Sequence, residues 1–167
     1  MKKNGVYYIT HAAVIAALYV VLTLFISAFN LASGAIQVRI SEALTILPMF
    51  TPAAIPGLFI GCLLSNYITG AAIFDVIFGS IATLIGAIGT YMLRKNKWLG
   101  VLPPIISNTI IVPIVLIYAY GLEDAYWFLA LTVGIGEVIS CGVLGLILHT
   151  AISKYKNILF KNNNENS

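Results

Sequence analysis

Uninterrupted apolar runs constrain this chain more than anything else in it. Val6 to Phe29, Asp75 to Leu93, Trp98 to Tyr120 and Tyr126 to Ile152 are each close to or above the ~20 residues an α-helix needs to cross ~30 Å of hydrocarbon. In lipid a backbone must satisfy its own polar groups, so runs of this kind are read as helices. Only 9% of the 167 residues are charged, 60% are apolar, and the mean hydropathy is +0.98. Such a chain is expected to precipitate from water, which excludes a soluble enzyme and a nucleic-acid-binding domain. Lys2 and Lys3 precede the first run as in a secretory leader. That run far exceeds the roughly 7–15 apolar residues of a leader, however, and Leu31-Ala32-Ser33 is a poor cleavage site, so a retained membrane helix is expected.

The stretch from Ala43 to Ile68 admits two readings. It carries Pro48, Pro52 and Pro56, and Thr51-Pro52 reads as a helix stop followed by a new start with proline in its first turn. A single crossing would give five spans and put Arg94, Lys95 and Lys97 outside. Turning back at Thr51-Pro52 gives six passes and places Lys2, Lys3, Arg94, Lys95, Lys97, Lys154, Lys156 and Lys161 in the cytoplasm, leaving Arg39 alone outside. The excess of basic residues in cytoplasmic loops favours the second reading. The expected fold is therefore an all-α integral membrane protein: a six-helix transmembrane bundle over residues 1–160 with both termini cytoplasmic, followed by a disordered polar tail at 161–167. The second helix, about Glu42 to Thr51, is then only ~15 Å long at α-helical rise.

Glu137 lies eleven residues into the last run, ~16 Å from its outer end. An ionisable group at that depth is costly and marks a functional site by default. It shares a helix face with Gly134, Cys141 and Gly145, which predicts that it points into the bundle. Asp75 opens the fourth helix of the six, with Gly79, Ala82 and Gly86 on one face, where it either favours the helix dipole or meets a ligand. Glu42 follows Arg39 at a spacing of three, so an ion pair between them competes with ligand contact. Asn66 and Asn108 add neutral donors and acceptors, and Pro113 permits a kink beside Asn108. Glu123 and Asp124 read as solvated loop charges.

In the six-pass arrangement Arg39, Glu42, Asn66, Asp75, Asn108 and Glu137 converge on the outer half of one bundle and form a pocket open to the outside. Three carboxylates against one guanidinium favour a cationic or donor-rich small molecule. Trp127, Tyr118, Tyr120 and Tyr126 ring the same mouth, as an interfacial belt or as a stacking surface. Ala12, Ala13, Ala16 and Ala17 form two overlapping small-xxx-small pairs on the first helix, suited either to internal packing or to an external helix docking there. Cys62 and Cys141 read as small buried apolar side chains. There is no P-loop and no H-E-x-x-H, and His11 and His149 lie far from the carboxylates, so uphill transport needs energy from a partner or an ion gradient. No cofactor, metal set or catalytic nucleophile is apparent, and an enzyme is not expected.

The segments Ile9-Thr10-His11-Ala12-Ala13, Gln37-Val38-Arg39-Ile40-Ser41-Glu42-Ala43-Leu44, Gly61-Cys62 with Asn66, Asp75 with Gly79, and Gly134-x-Gly136-Glu137 together resemble the queuosine-precursor transporter (QueT type) family, the substrate-binding S components of energy-coupling factor (ECF) transporters. The resemblance covers nearly the whole chain, and Val-Arg-x-Ser-Glu-Ala-Leu is its most specific part. It implies a six-helix S component in a bacterial plasma membrane that captures substrate on the outer face and then associates with a transmembrane coupling subunit and two cytoplasmic ATPases. It also implies a 7-deazaguanine substrate such as 7-aminomethyl-7-deazaguanine or queuine. The rivals are an S component for another vitamin-like molecule and a proton-coupled secondary carrier using Glu137.

Overall fold

The computed structural model describes residues 3–28, 38–121 and 123–159, and every element among them is helical. The elements are α1 (Lys3–Ala28), a 3₁₀ helix (Ile40–Met49), α2 (Ala54–Ile68), α3 (Ile73–Met92), a single turn α4 (Lys97–Gly100) leading into α5 (Leu102–Tyr120), and α6 (Tyr126–Glu137), which passes through a π-helical stretch (Val138–Leu144) into α7 (Gly145–Leu159). Taken as continuous rods they make six helices. Four are long and apolar enough to cross a membrane, Gly5–Ala28, Ile73–Met92, Lys97–Tyr120 and Tyr126–Tyr155, matching the four runs read from the sequence to within a few residues. The expected tail at 161–167, Lys2, Lys161 and Glu165 lie outside the described residues.

Ala43 to Ile68 does break at Thr51-Pro52: one helix closes at Met49 and the next opens at Ala54. Thr51 holds the turn, its Oγ1 accepting from the Ala53 N–H at 3.3 Å. The first half is not the expected α-helix. It is 3₁₀ throughout, starts at Ile40, contains Pro48, and at ~2.0 Å per residue spans ~20 Å rather than ~15 Å. A run this long is uncommon, and it persists here because its neighbours enclose it; every residue from Ser41 to Pro48 is buried. The helix is thus sunk into the bundle, with α1, α2, α3 and α7 around it.

Close helix approach is made by glycine. On α2, a Cβ at Gly57 would sit 2.7 Å from the Ala12 carbonyl oxygen, and one at Gly61 would sit 2.8 Å from Tyr19 Cβ and 3.1 Å from Ala16 Cα. Ala12 and Ala16 are therefore spent on the α1–α2 seam, while Ala13 and Ala17 are exposed. The two overlapping pairs thus have different surroundings, because residues one position apart on a helix face different ways. Between α3 and α5, Gly86 and Gly89 lie against Pro104 and Pro103, where added Cβ atoms would fall 2.7 Å from Pro104 Cα and 2.5 Å from Pro103 Cβ. Ser107 Oγ donates to the Ala82 carbonyl at 2.9 Å, and Thr90 Oγ1 to the Gly100 carbonyl at 2.7 Å. The apolar core joins Ile15, Tyr19, Leu44, Leu47, Leu58 and Cys62 where α1, α2 and the 3₁₀ helix meet. Large apolar side chains such as Val14, Val21 and Phe25 point outward, as lipid-facing positions do.

Candidate binding site

Polar side chains enter the bundle from the end where α2 turns into α3. Arg39 caps the 3₁₀ helix in extended conformation (φ −100°, ψ 101°), so its side chain leaves the helical register. It does not pair with Glu42 three residues on. Its Nη2 lies 3.9 Å from Asp75 Oδ2, with Arg39 27% exposed and Asp75 nearly buried. Tyr120, from the last turn of α5, spans the same point: its hydroxyl donates to Asp75 Oδ2 at 3.3 Å and accepts from the Ala72 N–H at 3.1 Å. Asn66 is buried, and its Nδ2 donates to the Asp75 carbonyl at 3.4 Å.

Deeper along the same helices stand Glu42 and Glu137, both buried. Tyr19 of α1 donates to Glu42 Oε1. Glu42 Oε2 is buried and has no hydrogen-bond partner among the described residues. Such an atom is expensive to leave bare, which makes it an acceptor awaiting a donor. Glu137 ends α6, and the π-helical stretch begins at the next residue. The wider i→i+5 turn brings the adjacent residues Ser140 and Cys141 both to face the 3₁₀ helix. Ser140 Oγ accepts from the Arg39 N–H at 3.1 Å, and Cys141 Sγ donates to the Glu42 carbonyl at 3.5 Å and to Glu137 Oε2 at 3.1 Å. Asn108 of α5 is buried and faces both carboxylates. Glu42, Glu137 and Cys141 each place a ligand atom within 4.8 Å of the others. Two carboxylates and a thiol at this spacing suit a cation or a set of hydrogen-bond donors.

These groups line two neighbouring spaces. The outer one, about 460 Å³, is bounded by Thr23, Ser27, Arg39, Asn66, Asp75 and Tyr120 among others. The inner one, about 20 Å³, is bounded by Arg39, Glu42, Gly79, Thr83, Asn108, Val112, Val133 and Glu137. Arg39 and Val112 belong to both. The six polar residues singled out from the sequence are thus brought together. Trp127 is not: it is 80% exposed and lines an apolar groove of α5 and α6 with Ile106 and Ile110. Tyr118 is 81% exposed, and the Tyr126 hydroxyl donates to the Ile110 carbonyl, so of the aromatic ring only Tyr120 reaches the cavity. Glu123 and Asp124 are exposed, as solvated charges.

Sequence reasoning passed over Tyr19, Thr23 and Cys141. The first two were visible as polar-ended residues continuing the inward face set by Ala12 and Ala16, at Tyr19 and Thr23. Cys141 sits one turn beyond Glu137, a position from which a thiol reaches a carboxylate, although the change to π-helical geometry has no evident signal in the sequence. Both cysteines are buried and unpaired, yet they act as more than apolar filler, since Thr83 Oγ1 also donates to Cys62 Sγ at 3.4 Å.

The family model described as "QueT transporter" matches residues 9–154. A protein of Lactococcus lactis subsp. cremoris (strain MG1363), "Queuosine precursor transporter QueT", is 39% identical over 85 residues, covering 51% of this chain and 50% of that protein. The matched region thus spans about half the length of that relative. No solved structure matches the chain.

Proposed function

The chain belongs to the QueT transporter family, and from that premise we propose that it captures a queuosine precursor of the 7-deazaguanine class from outside the cell, as the substrate-binding S component of an ATP-driven ECF importer. The observation that carries this reading is the pairing of Glu137 with Glu42, whose free, buried Oε2 faces the same space as Asn108. A 7-deazaguanine offers an N1–H and an amino group to a carboxylate, its carbonyl accepts from an asparagine amide, and a cationic side arm takes a second carboxylate. Arg39, Asn66 and Asp75 complete the polar wall of the outer space. Because the sequence carries no P-loop, energy comes from partners: a transmembrane coupling subunit and two ATPases, with Ala13 and Ala17 on the exposed face of α1 as the docking surface.

Orientation follows from charge. In a bacterial plasma membrane, six passes put both termini and Arg94, Lys95 and Lys97 in the cytoplasm, so the cavity beside the α2–α3 turn opens outward. A single cysteine in place of Asn96, in a background with Cys62 and Cys141 replaced by Ser, is expected to resist an impermeant thiol reagent applied to intact cells and to react after permeabilisation. Labelling from outside overturns this orientation.

The function is tested on the purified chain. Denaturing it and identifying released small molecules by mass spectrometry is expected to yield a 7-deazaguanine. In calorimetric titration, Glu137→Gln keeps the shape of the side chain and removes its charge, so binding is expected to weaken by about 1.5–3 kcal/mol for a charge-assisted bond, roughly ten- to a hundredfold. Matching affinities of the two proteins would end the assignment of Glu137 as a ligand group. Uptake driven by a pH gradient in cells lacking ATPase partners would favour a secondary carrier instead.

A further inference from the structure

We infer that the α3–α5 face carries a site for one anionic phospholipid: an acyl chain lies in the groove between the two helices, and the phosphate meets Arg94, Lys95 and Lys97 in the loop that joins them. The inference needs only a chain that spans a membrane, and it stands apart from the function proposed above.

The groove is the first ground. A space of about 450 Å³ lies along α3 and α5, walled by Ile85 and Gly89 on one side and by Pro103, Ile106 and Ile110 on the other. Gly89 has no side chain and packs directly on Pro103, so the floor is low, while Ile85, Ile106 and Ile110 stand exposed around it. The stretch from Pro103 to Ile110 rises ~10 Å, most of the ~15 Å of hydrocarbon in one leaflet. The polar side chain in the lining, Ser107, already donates to the Ala82 carbonyl at 2.9 Å. Such a lining suits a hydrocarbon chain, which has no polar group to satisfy.

Charge is the second ground. The loop leaves α3 at Met92, just beyond Gly89, and enters α5 just before Pro103, so it closes one end of the groove. Arg94, Lys95 and Lys97 are all exposed there. The Arg94 guanidinium lies 4.2 Å from the centre of the Tyr91 ring, and Lys97 Nζ lies 5.4 Å from that of Trp98. These rings hold the cations in place without neutralising them. Among the described residues no carboxylate pairs with the three: the ion pair found is Arg39 with Asp75, and Glu123 and Asp124 follow the opposite end of α5. The loop is also fixed before any ligand arrives, since Asn96 Oδ1 accepts from the Trp98 N–H at 3.0 Å and Thr90 Oγ1 donates to the Gly100 carbonyl at 2.7 Å. A phosphodiester brings negative charge and acceptor oxygens to these unpaired cations, at little ordering cost. A zwitterionic headgroup would carry its own cation into the same loop. Trp98, 63% exposed, stands where tryptophan commonly marks the headgroup boundary.

The experiment uses Trp98 as its reporter, because Trp127→Phe leaves it the only tryptophan in the chain. The purified full-length variant is placed in phosphatidylcholine nanodiscs, and phosphatidylglycerol or phosphatidylcholine brominated near the headgroup end of its chains is titrated in as a contact quencher. Phosphatidylglycerol is expected to quench at a mole fraction about fivefold lower, the gain of roughly one basic contact with an anionic headgroup. Raising the salt from about 0.05 to about 0.5 M is expected to abolish that preference, as is the combined Arg94→Gln, Lys95→Gln, Lys97→Gln variant. Ile106→Phe fills the groove from a lipid-facing position and is expected to lower the preference by more than half. In a Trp98→Phe companion, Trp127 reports from the other end of α5 and is expected to show no preference. Equal quenching of Trp98 by the two lipids overturns the site, and loss of ATP-driven uptake by the triple variant in that case assigns the loop to a protein partner. A preference that survives both high salt and the three glutamines, that is unchanged by Ile106→Phe, or that appears equally at Trp127 overturns it as well. The salt series needs no charge variant, so it decides the matter even if the triple variant fails to fold.

Discussion

Along α3 and α5 the two ends are packed by opposite rules. At one, Gly86 and Gly89 let the helices close until the backbone of α3 rests on Pro103 and Pro104, and the polar groups there, Thr90 and Ser107, are satisfied by carbonyls of the neighbouring segment. At the other, Asp75 and Gly79 stand across from Val112 and Leu116 with space between them, and one carboxylate oxygen has no partner among the described residues. A helix pair clamped at one end and open at the other holds its binding groups at fixed spacing without filling the site. In lipid, where apolar burial between helices gives little driving force, the clamp must come from close backbone contact, which is what glycine allows.

The comparison is broken most severely by filling the clamp. Gly86→Val places branched carbon where even a Cβ would lie 2.7 Å from the Pro104 backbone, and a backbone neighbour cannot swing away. Overpacking of a tight interior costs about 1–3 kcal/mol and sometimes more. Thermal unfolding of the purified protein in detergent is expected to show a marked drop in melting temperature, with the folded fraction binding ligand as before. An unchanged melting temperature would mean the α3–α5 seam is looser than its geometry.

A smaller effect is expected at the open end. Tyr120→Phe removes the hydroxyl that joins Asp75 to the Ala72 N–H without altering the shape of the ring. The loss of such a bond is worth about 1 kcal/mol, and the site is partly open to water, so calorimetric affinity should fall by less than about tenfold and the melting temperature should barely move. A large fall in melting temperature with affinity intact would move Tyr120 from the site to the scaffold.

How much of this was legible in the sequence differs between the two ends as well. The four spans and the break at Thr51-Pro52 follow from apolar run length and proline, which act locally and leave a direct mark. So does the inward placing of Glu137, because a lone carboxylate at that depth has few alternatives in lipid. Pairing was harder. Arg39 and Glu42 have the spacing of an ion pair on a helix, but Arg39 lies outside the helical turn and meets Asp75 instead. That depends on where α3 passes, which no local pattern reports. The 3₁₀ and π-helical stretches are likewise imposed by neighbours rather than by propensity, and they set the positions of Glu42, Ser140 and Cys141. Trp127 lines the α5–α6 groove rather than the cavity, a choice the sequence leaves open because aromatic residues at a helix end serve a lipid interface and a ligand mouth with the same composition.

The smallest effect on the isolated protein is expected on α1, where neighbouring alanines have opposite surroundings. Ala16 is buried against Gly61, within 3.1 Å of where a Cβ would stand, whereas Ala17, one residue on, is exposed. Ala17→Trp adds a large side chain to a lipid-facing surface and removes no contact, so melting temperature and ligand affinity should stay within error of the unmodified protein. The same substitution at Ala16 should destabilise by several kcal/mol, as overpacking against a helix backbone does. If the exposed face is where a coupling subunit docks, Ala17→Trp nevertheless abolishes ATP-driven uptake in cells, because close approach between membrane helices depends on small residues at the contact. Uptake at the unmodified rate would show that Ala17 meets only lipid, and that small residues on α1 serve the α2 seam alone.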